Sequence, residues 1–223
     1  MRQPVRAVVV LALTLGTGAA VTPLLAQNPG LPVYNMGVPR GIGLYGDVAF
    51  PNAAAGKGTA YGATVRAGFG DLGATATVSA DNPDGPAGSE AAVGATLNYR
   101  LLGGPLVPLS VTLQAGASYS KPGEGALETS LYHYPIGIGF ALVIPNPVLA
   151  IHPWLAPRVD IVHTSADAGS NTETNFGLSG GLEFNLLNGF GIQAAYDRVF
   201  AKDGSDPATF GLGAHYTFRV PGL

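Results

Sequence analysis

No cysteine occurs in the 223 residues, which excludes a lipid-modified N-terminal cysteine, a disulfide framework and a thiolate metal site. Charge is scarce as well: Asp, Glu, Lys and Arg make up 11% of the chain, about half of what a soluble domain carries. Basic residues are outnumbered, and a net charge of −3 argues against nucleic acid as a partner. The four histidines, His133, His152, His163 and His215, share no ligand spacing, so no metal site is expected. No glycine-rich loop leads into a helix to cradle phosphates, so neither a nucleotide nor any other cofactor is expected. Beyond the first 26 residues no apolar run approaches the roughly 20 residues with which a helix crosses a bilayer.

What is present begins with Arg2 and Arg6, an apolar stretch over 7–15, and small residues up to Ala26. This is the pattern of a secretory signal peptide over 1–26, and Gly16, Thr17 and Gly18 interrupt the run before it could anchor. Cleavage after Ala26 leaves 27–223, a length that suits one domain. Residues 27–40 are expected to form an N-terminal periplasmic segment and 41–223 the folded domain.

From Gly41 onward ten segments place an apolar residue at every second position, the signature of strands with two unlike faces. They are 41–50, 60–69, 71–80, 90–101, 108–120, 130–144, 149–163, 174–186, 190–200 and 209–219. In the first, Ile42, Leu44, Val48 and Phe50 oppose Gly43, Tyr45 and Asp47. The links alternate too. Short ones at 70–71, 102–107, 145–148 and 187–189 interleave with longer polar ones at 51–59, 81–89, 121–129, 164–173 and 201–208. Aromatic residues on the apolar face fall into two bands. Phe50, Tyr61, Tyr119, Tyr132, Tyr134, Tyr196 and Phe200 lie near the long-loop ends, and Phe69, Tyr99, Phe184, Phe190, Tyr216 and Phe218 near the short turns.

Short turns on one side, long loops on the other and aromatic girdles at both rims are the marks of a barrel in a Gram-negative outer membrane. A soluble sandwich or lipocalin-like barrel would also alternate, but its apolar face would be a core without bands. The expected fold is therefore all-β, a closed antiparallel up-and-down transmembrane β-barrel of about ten strands with both termini on the periplasmic side. Pro135, Pro153 and Pro157 fall within the sixth and seventh segments, where bulges or a local break are expected. Reading those two segments differently gives an alternative of eight strands.

The last segment, with Gly213 followed by Tyr216 and Phe218, resembles the C-terminal assembly signal of bacterial outer-membrane barrels. In that signal the phenylalanine is usually final, whereas residues 219–223 follow it here. As a pattern, the whole mature chain resembles small outer-membrane β-barrel proteins. The resemblance implies recognition by the barrel-assembly machinery. The expected surroundings are outer-membrane lipid, and the expected state is a monomer.

Inward positions carry a candidate polar network of Tyr45, Asp47, Arg66, Arg100, Arg158, Glu183, Gln193 and His215. Folding the hairpins about their loop centres predicts Asp47 near Arg66, Arg158 near Glu183, Glu183 near Gln193, and Tyr45 near His215 across the closing seam. Many other inward residues are glycine, among them Gly62, Gly68, Gly94, Gly139 and Gly211, and these leave room inside. The expected role is structural or that of a narrow pore for small solutes. Small outer-membrane barrels also include lipid A modifying enzymes and the omptin proteases, whose sites lie at the outer rim. His133, Asp160 and Ser179 are the weak catalytic candidates for that alternative. Their predicted order puts the carboxylate between imidazole and hydroxyl, whereas a triad needs the imidazole there, so no enzyme is expected.

Overall fold

The computed structural model describes residues 28–39, 41–84, 88–104, 107–123, 128–146, 148–167 and 169–218. The signal peptide expected over 1–26 and the tail after Phe218 lie outside the described residues. The strands are β1 (Gly41–Pro51), β2 (Gly58–Phe69), β3 (Leu72–Pro83), β4 (Glu90–Gly104), β5 (Val107–Ser120), β6 (Ser130–Leu142), β7 (Ile144–Pro145), β8 (Leu149–Ala166), β9 (Gly169–Leu186), β10 (Phe190–Phe200) and β11 (Ala208–Phe218). Ten of them are the staves of a closed antiparallel barrel. β7 is a two-residue continuation that keeps pairing with the start of β8 after β6 has ended.

Each stave pairs with its chain neighbours, and β1 closes on β11 from Ile42↔Phe218 to Pro51↔Thr209. Closure pairs each of the ten staves on both sides, which is what a backbone in hydrocarbon requires. Alternation then sorts the side chains. Leu44, Val65, Val78, Leu97 and Ile136 are exposed on the outer face, and the next residue in each strand points inward. Both aromatic bands stand on that outer face. Trp154, the chain's one tryptophan, is an exception. It points inward and is 5% exposed.

The prolines act where their missing N–H would be used. The β5–β6 ladder skips from Ala115↔Ile136 to Ser118↔His133 around Pro135. The β6–β8 ladder skips from Gly137↔Arg158 to Phe140↔Leu155 around Pro157. Both strands nevertheless run through, so the barrel has ten staves and not eight.

One expected loop is mostly strand. Residues 164–166 continue β8 and 169–173 open β9, each strand is 18 residues long, and Ala166 is paired to Gly169. Residues 169–174 are exposed on both faces. Beyond the membrane neither face meets lipid, so the apolar alternation that marks a spanning strand disappears although the ladder continues.

Candidate functional site

The segment before β1 does not lie beyond the periplasmic rim. Residues 28–39 run inside the barrel, ten of these twelve residues buried, from Pro39 at the short-turn end to Asn28 and Gly30 near the long-loop end. Three prolines at 29, 32 and 39 and the lack of any charge suit an extended strap in a confined space. The inward glycines are its seat. A Cβ at Gly62 would meet Leu31 at 2.4 Å, one at Gly139 would meet Asn35 at 2.5 Å, and one at Gly211 would meet Pro32 at 2.8 Å. At Gly68 it would stand 1.9 Å from the Pro39 carbonyl oxygen. The room that these glycines leave is thus occupied by the chain itself.

The barrel wall holds the strap by its backbone. The Val33 N–H donates to Asp197 Oδ2 at 2.9 Å, Gln114 Nε2 donates to the Tyr34 carbonyl at 2.9 Å, and Arg66 donates to the Gly37 carbonyl at 2.8 Å. Arg100 donates to the Val38 carbonyl while also holding Asp71 at 3.2 Å, which ties the strap to the β2–β3 turn. β5 and β10 lie on nearly opposite sides of the ring, so the strap is gripped from two well-separated parts of the wall. Met36 joins Tyr45, Ala141, Trp154, Ala156 and Ala195 in a buried apolar cluster, with Tyr34 against it. A chain that lacks a soluble core builds a small one here, inside the membrane barrel.

The network residues all point inward, but some take other partners than expected. Tyr45 does face His215, their rings stacked with centroids 4.6 Å apart, and Glu183 does lie opposite Gln193. Asp47 is opposite Gly62, and accepts from the Tyr34 hydroxyl at 3.0 Å and from Gln193 at 2.6 Å. Arg66 stands lower, opposite Gly43, with its guanidinium over the Tyr45 ring. Arg158 does not approach Glu183, because the tight β8–β9 turn sets it opposite Gly177. It bonds Asp160 at 2.9 Å along its own strand and, over the intervening β9, Asp197 at 2.8 Å. Glu183 lies instead opposite His152 and 3.4 Å from His215.

His133 and Asp160 are in contact, Nε2 to Oδ1 at 2.8 Å. Ser179 does not complete a triad: its hydroxyl donates to the Ala156 carbonyl at 3.5 Å. His133, Asp160 and Ser179 are 2%, 1% and 1% exposed, and Asp160 Oδ1 is shared between the imidazole and Arg158. Such an arrangement can fix charges inside a wall. It offers no open face to a substrate.

Thr64, Thr75, Thr77 and Thr96, with Tyr34 and Arg66, line a cavity of about 30 Å³, room for one or two water molecules. In the outer loops Asn52 donates to the Asp206 carbonyl at 3.3 Å and so ties the first loop to the last, while the contacts of Lys121 and Ser205 are local. Lys121 pairs with Glu128 at 2.6 Å, and Ser205 donates its N–H and hydroxyl to Asp203, holding that carboxyl below the usual range.

The model of the outer membrane protein beta-barrel domain family matches residues 34–218, from the middle of the strap to the end of β11. This chain belongs to that family. It is accordingly an integral protein of the outer membrane. The β domain of the Bordetella autotransporter BrkA shares the fold: TM-score 0.51 at 15% identity, over 81% of this chain and 100% of that one. Ail, the attachment invasion locus protein of Yersinia pestis, is 17% identical over 81% of this chain and 100% of its own, with a TM-score of 0.40. The outer membrane protease OmpT from Escherichia coli is 11% identical over 80% and 94%, also with a TM-score of 0.40. No curated protein matches the sequence at a significant level.

The strap escaped sequence reasoning because it has no period. Its signal was composition: an uncharged, proline-punctuated stretch directly before the first strand, facing a lumen rich in glycine.

Proposed function

We propose that this protein is a structural outer-membrane barrel whose lumen is closed by its own N-terminal segment. The strap carries this reading. It fills the glycine-lined space that would otherwise form a narrow passage for small solutes, and it is held from well-separated parts of the wall by Asp197 and Gln114. A barrel of ten staves is near the size that side chains alone can fill, whereas wide aqueous channels need about sixteen. The role is non-catalytic. The burial of His133, Asp160 and Ser179 and the diversion of the Ser179 hydroxyl to Ala156 support that part of the reading. Export through the signal peptide over 1–26, insertion by the barrel-assembly machinery through Gly213, Tyr216 and Phe218, and a monomer among outer-membrane lipids complete it.

Planar-bilayer conductance is the test. The purified chain should be silent, and deletion of residues 28–39 should produce steady steps, provided that gel migration still shifts on heating as a folded barrel's does. Arg66→Ala and Gln114→Ala, which loosen the strap without removing it, should give intermittent openings. Steady conductance from the unaltered chain would sink the proposal.

A further inference from the structure

At the long-loop end of the lumen, three adjacent strands present oxygen atoms that no described residue answers. Asp81 on β3 and Glu90 on β4 are direct partners in the ladder, both facing inward. Like charges placed opposite one another on neighbouring strands repel, and burial strengthens the repulsion. Asp81 is 4% exposed. Its Oδ1 and the Oε1 of Glu90 are each shut off from solvent and lack a hydrogen-bond partner.

Nearby cations are committed elsewhere. Lys57 pairs with Asp84 at 3.4 Å and Lys121 with Glu128 at 2.6 Å. Among the described residues no Lys, Arg or His forms an ion pair with either carboxylate. On β8 and β10 the opposite holds, since Arg158 lies between Asp160 and Asp197.

A third group points independently to a ligand. Ser120 on β5, 2% exposed, turns its hydroxyl toward the Glu90 carboxylate, and among the described residues its Oγ has no partner in full hydrogen-bond geometry. Ser120 lies opposite Ala92, one inward step from Glu90, so the three oxygen donors come from three consecutive staves.

We propose that Asp81, Glu90 and Ser120 form a binding site for a hard divalent cation, calcium by preference, at the outer end of the lumen. Two carboxylates and a neutral hydroxyl are an all-oxygen set without sulfur or imidazole, which suits calcium over zinc or copper. Calcium accepts an irregular shell completed by water, whereas magnesium demands near-octahedral geometry and gives up its own water reluctantly. Two negative charges match one divalent ion, so the pair is neutralised where it stands. With so few protein ligands the affinity belongs with extracellular modules, with Kd about 10⁻⁴ to 10⁻³ M. The site also touches the strap. A Cβ at Gly30 would stand 2.8 Å from Asp81 Oδ1, so a bound ion would brace the wall against which the strap ends.

The test uses the full chain folded in a phosphate-free detergent, so that lipid phosphate cannot supply the ion's ligands. Calorimetric titration with calcium chloride should show one saturable site, with magnesium weaker, and calcium should raise the temperature of the heat-modifiable gel transition relative to EDTA. Asp81→Asn with Glu90→Gln, which preserves shape and removes charge, should weaken calcium at least about tenfold and abolish the temperature rise; Ser120→Ala should weaken it less. Absence of calcium binding to the unaltered chain overturns the proposal, and so does an unchanged titration in the double variant. Should the double variant fail to fold, Glu90→Gln alone, at the less buried partner, separates the same two outcomes.

Discussion

The two walls of the lumen solve the same problem differently. Along β8 and β10 the wall is ionic: Arg158, Asp160 and Asp197 are each at most 4% exposed and both carboxylates pair with the one guanidinium, with His133 on one carboxylate and the strap's Val33 N–H on the other. Along the middle of β2 to β4, between Arg66 and Asp81, the wall is neutral. Thr64 and Thr77 share a hydrogen bond at 2.9 Å, Thr75 and Thr96 another at 2.5 Å, and the cavity of about 30 Å³ lies against them. Charges buried in contact with one another depend on one another, so the ionic wall is tight and intolerant. Hydroxyls satisfied in pairs carry a smaller penalty when disturbed, and the neutral wall can leave space.

Three substitutions press on that contrast. Arg158→Met should do the most damage, because it strands Asp160 and Asp197 in the interior. A loss of roughly 3–5 kcal/mol is expected, read as a lower urea midpoint for the gel-shifting folded form. A loss comparable to that of a surface arginine would mean that water reaches those carboxylates. Gly68→Ala should come next, at about 1–3 kcal/mol, since its methyl group would collide with the Pro39 backbone and push the strap from its seat. Bilayer recordings should then show openings that Arg158→Met, if it folds, does not give. Thr75→Val on the neutral wall should cost least, about 0.5–1.5 kcal/mol, for one hydroxyl pair in a place where a neighbouring cavity absorbs the change. If Thr75→Val were as costly as Arg158→Met, the distinction between the walls would fail.

Staves, lipid face and both girdles were legible in the sequence because each follows from a local rule, period two or interfacial aromatics, that needs no knowledge of the partner strand. Register was less so. The polar run at 164–173 reads as a loop since it lacks alternation, and placing a long loop there shifted Arg158 towards Glu183 and hid its true partner two residues along the same strand, Asp160. Inward charges could be named from parity, but which of them meet depends on turn geometry and on what fills the middle. The filler has no signature of its own. Asn28 to Pro39 acquires a partner only once ten staves surround it, so its place is a property of the closed barrel and not of the segment.

That place constrains the order of events in assembly. The strap is continuous with β1, and β1 forms the seam with β11, where Tyr45 stacks on His215. A finished ring would have to be threaded end-on to admit it. The open, curling sheet has only to wrap. Pairing of the first strand with the last is therefore the step that imprisons the strap, and a chain whose seam zipped early, before Gln114 and Asp197 had gripped the backbone from either side, would form an empty barrel from the same sequence.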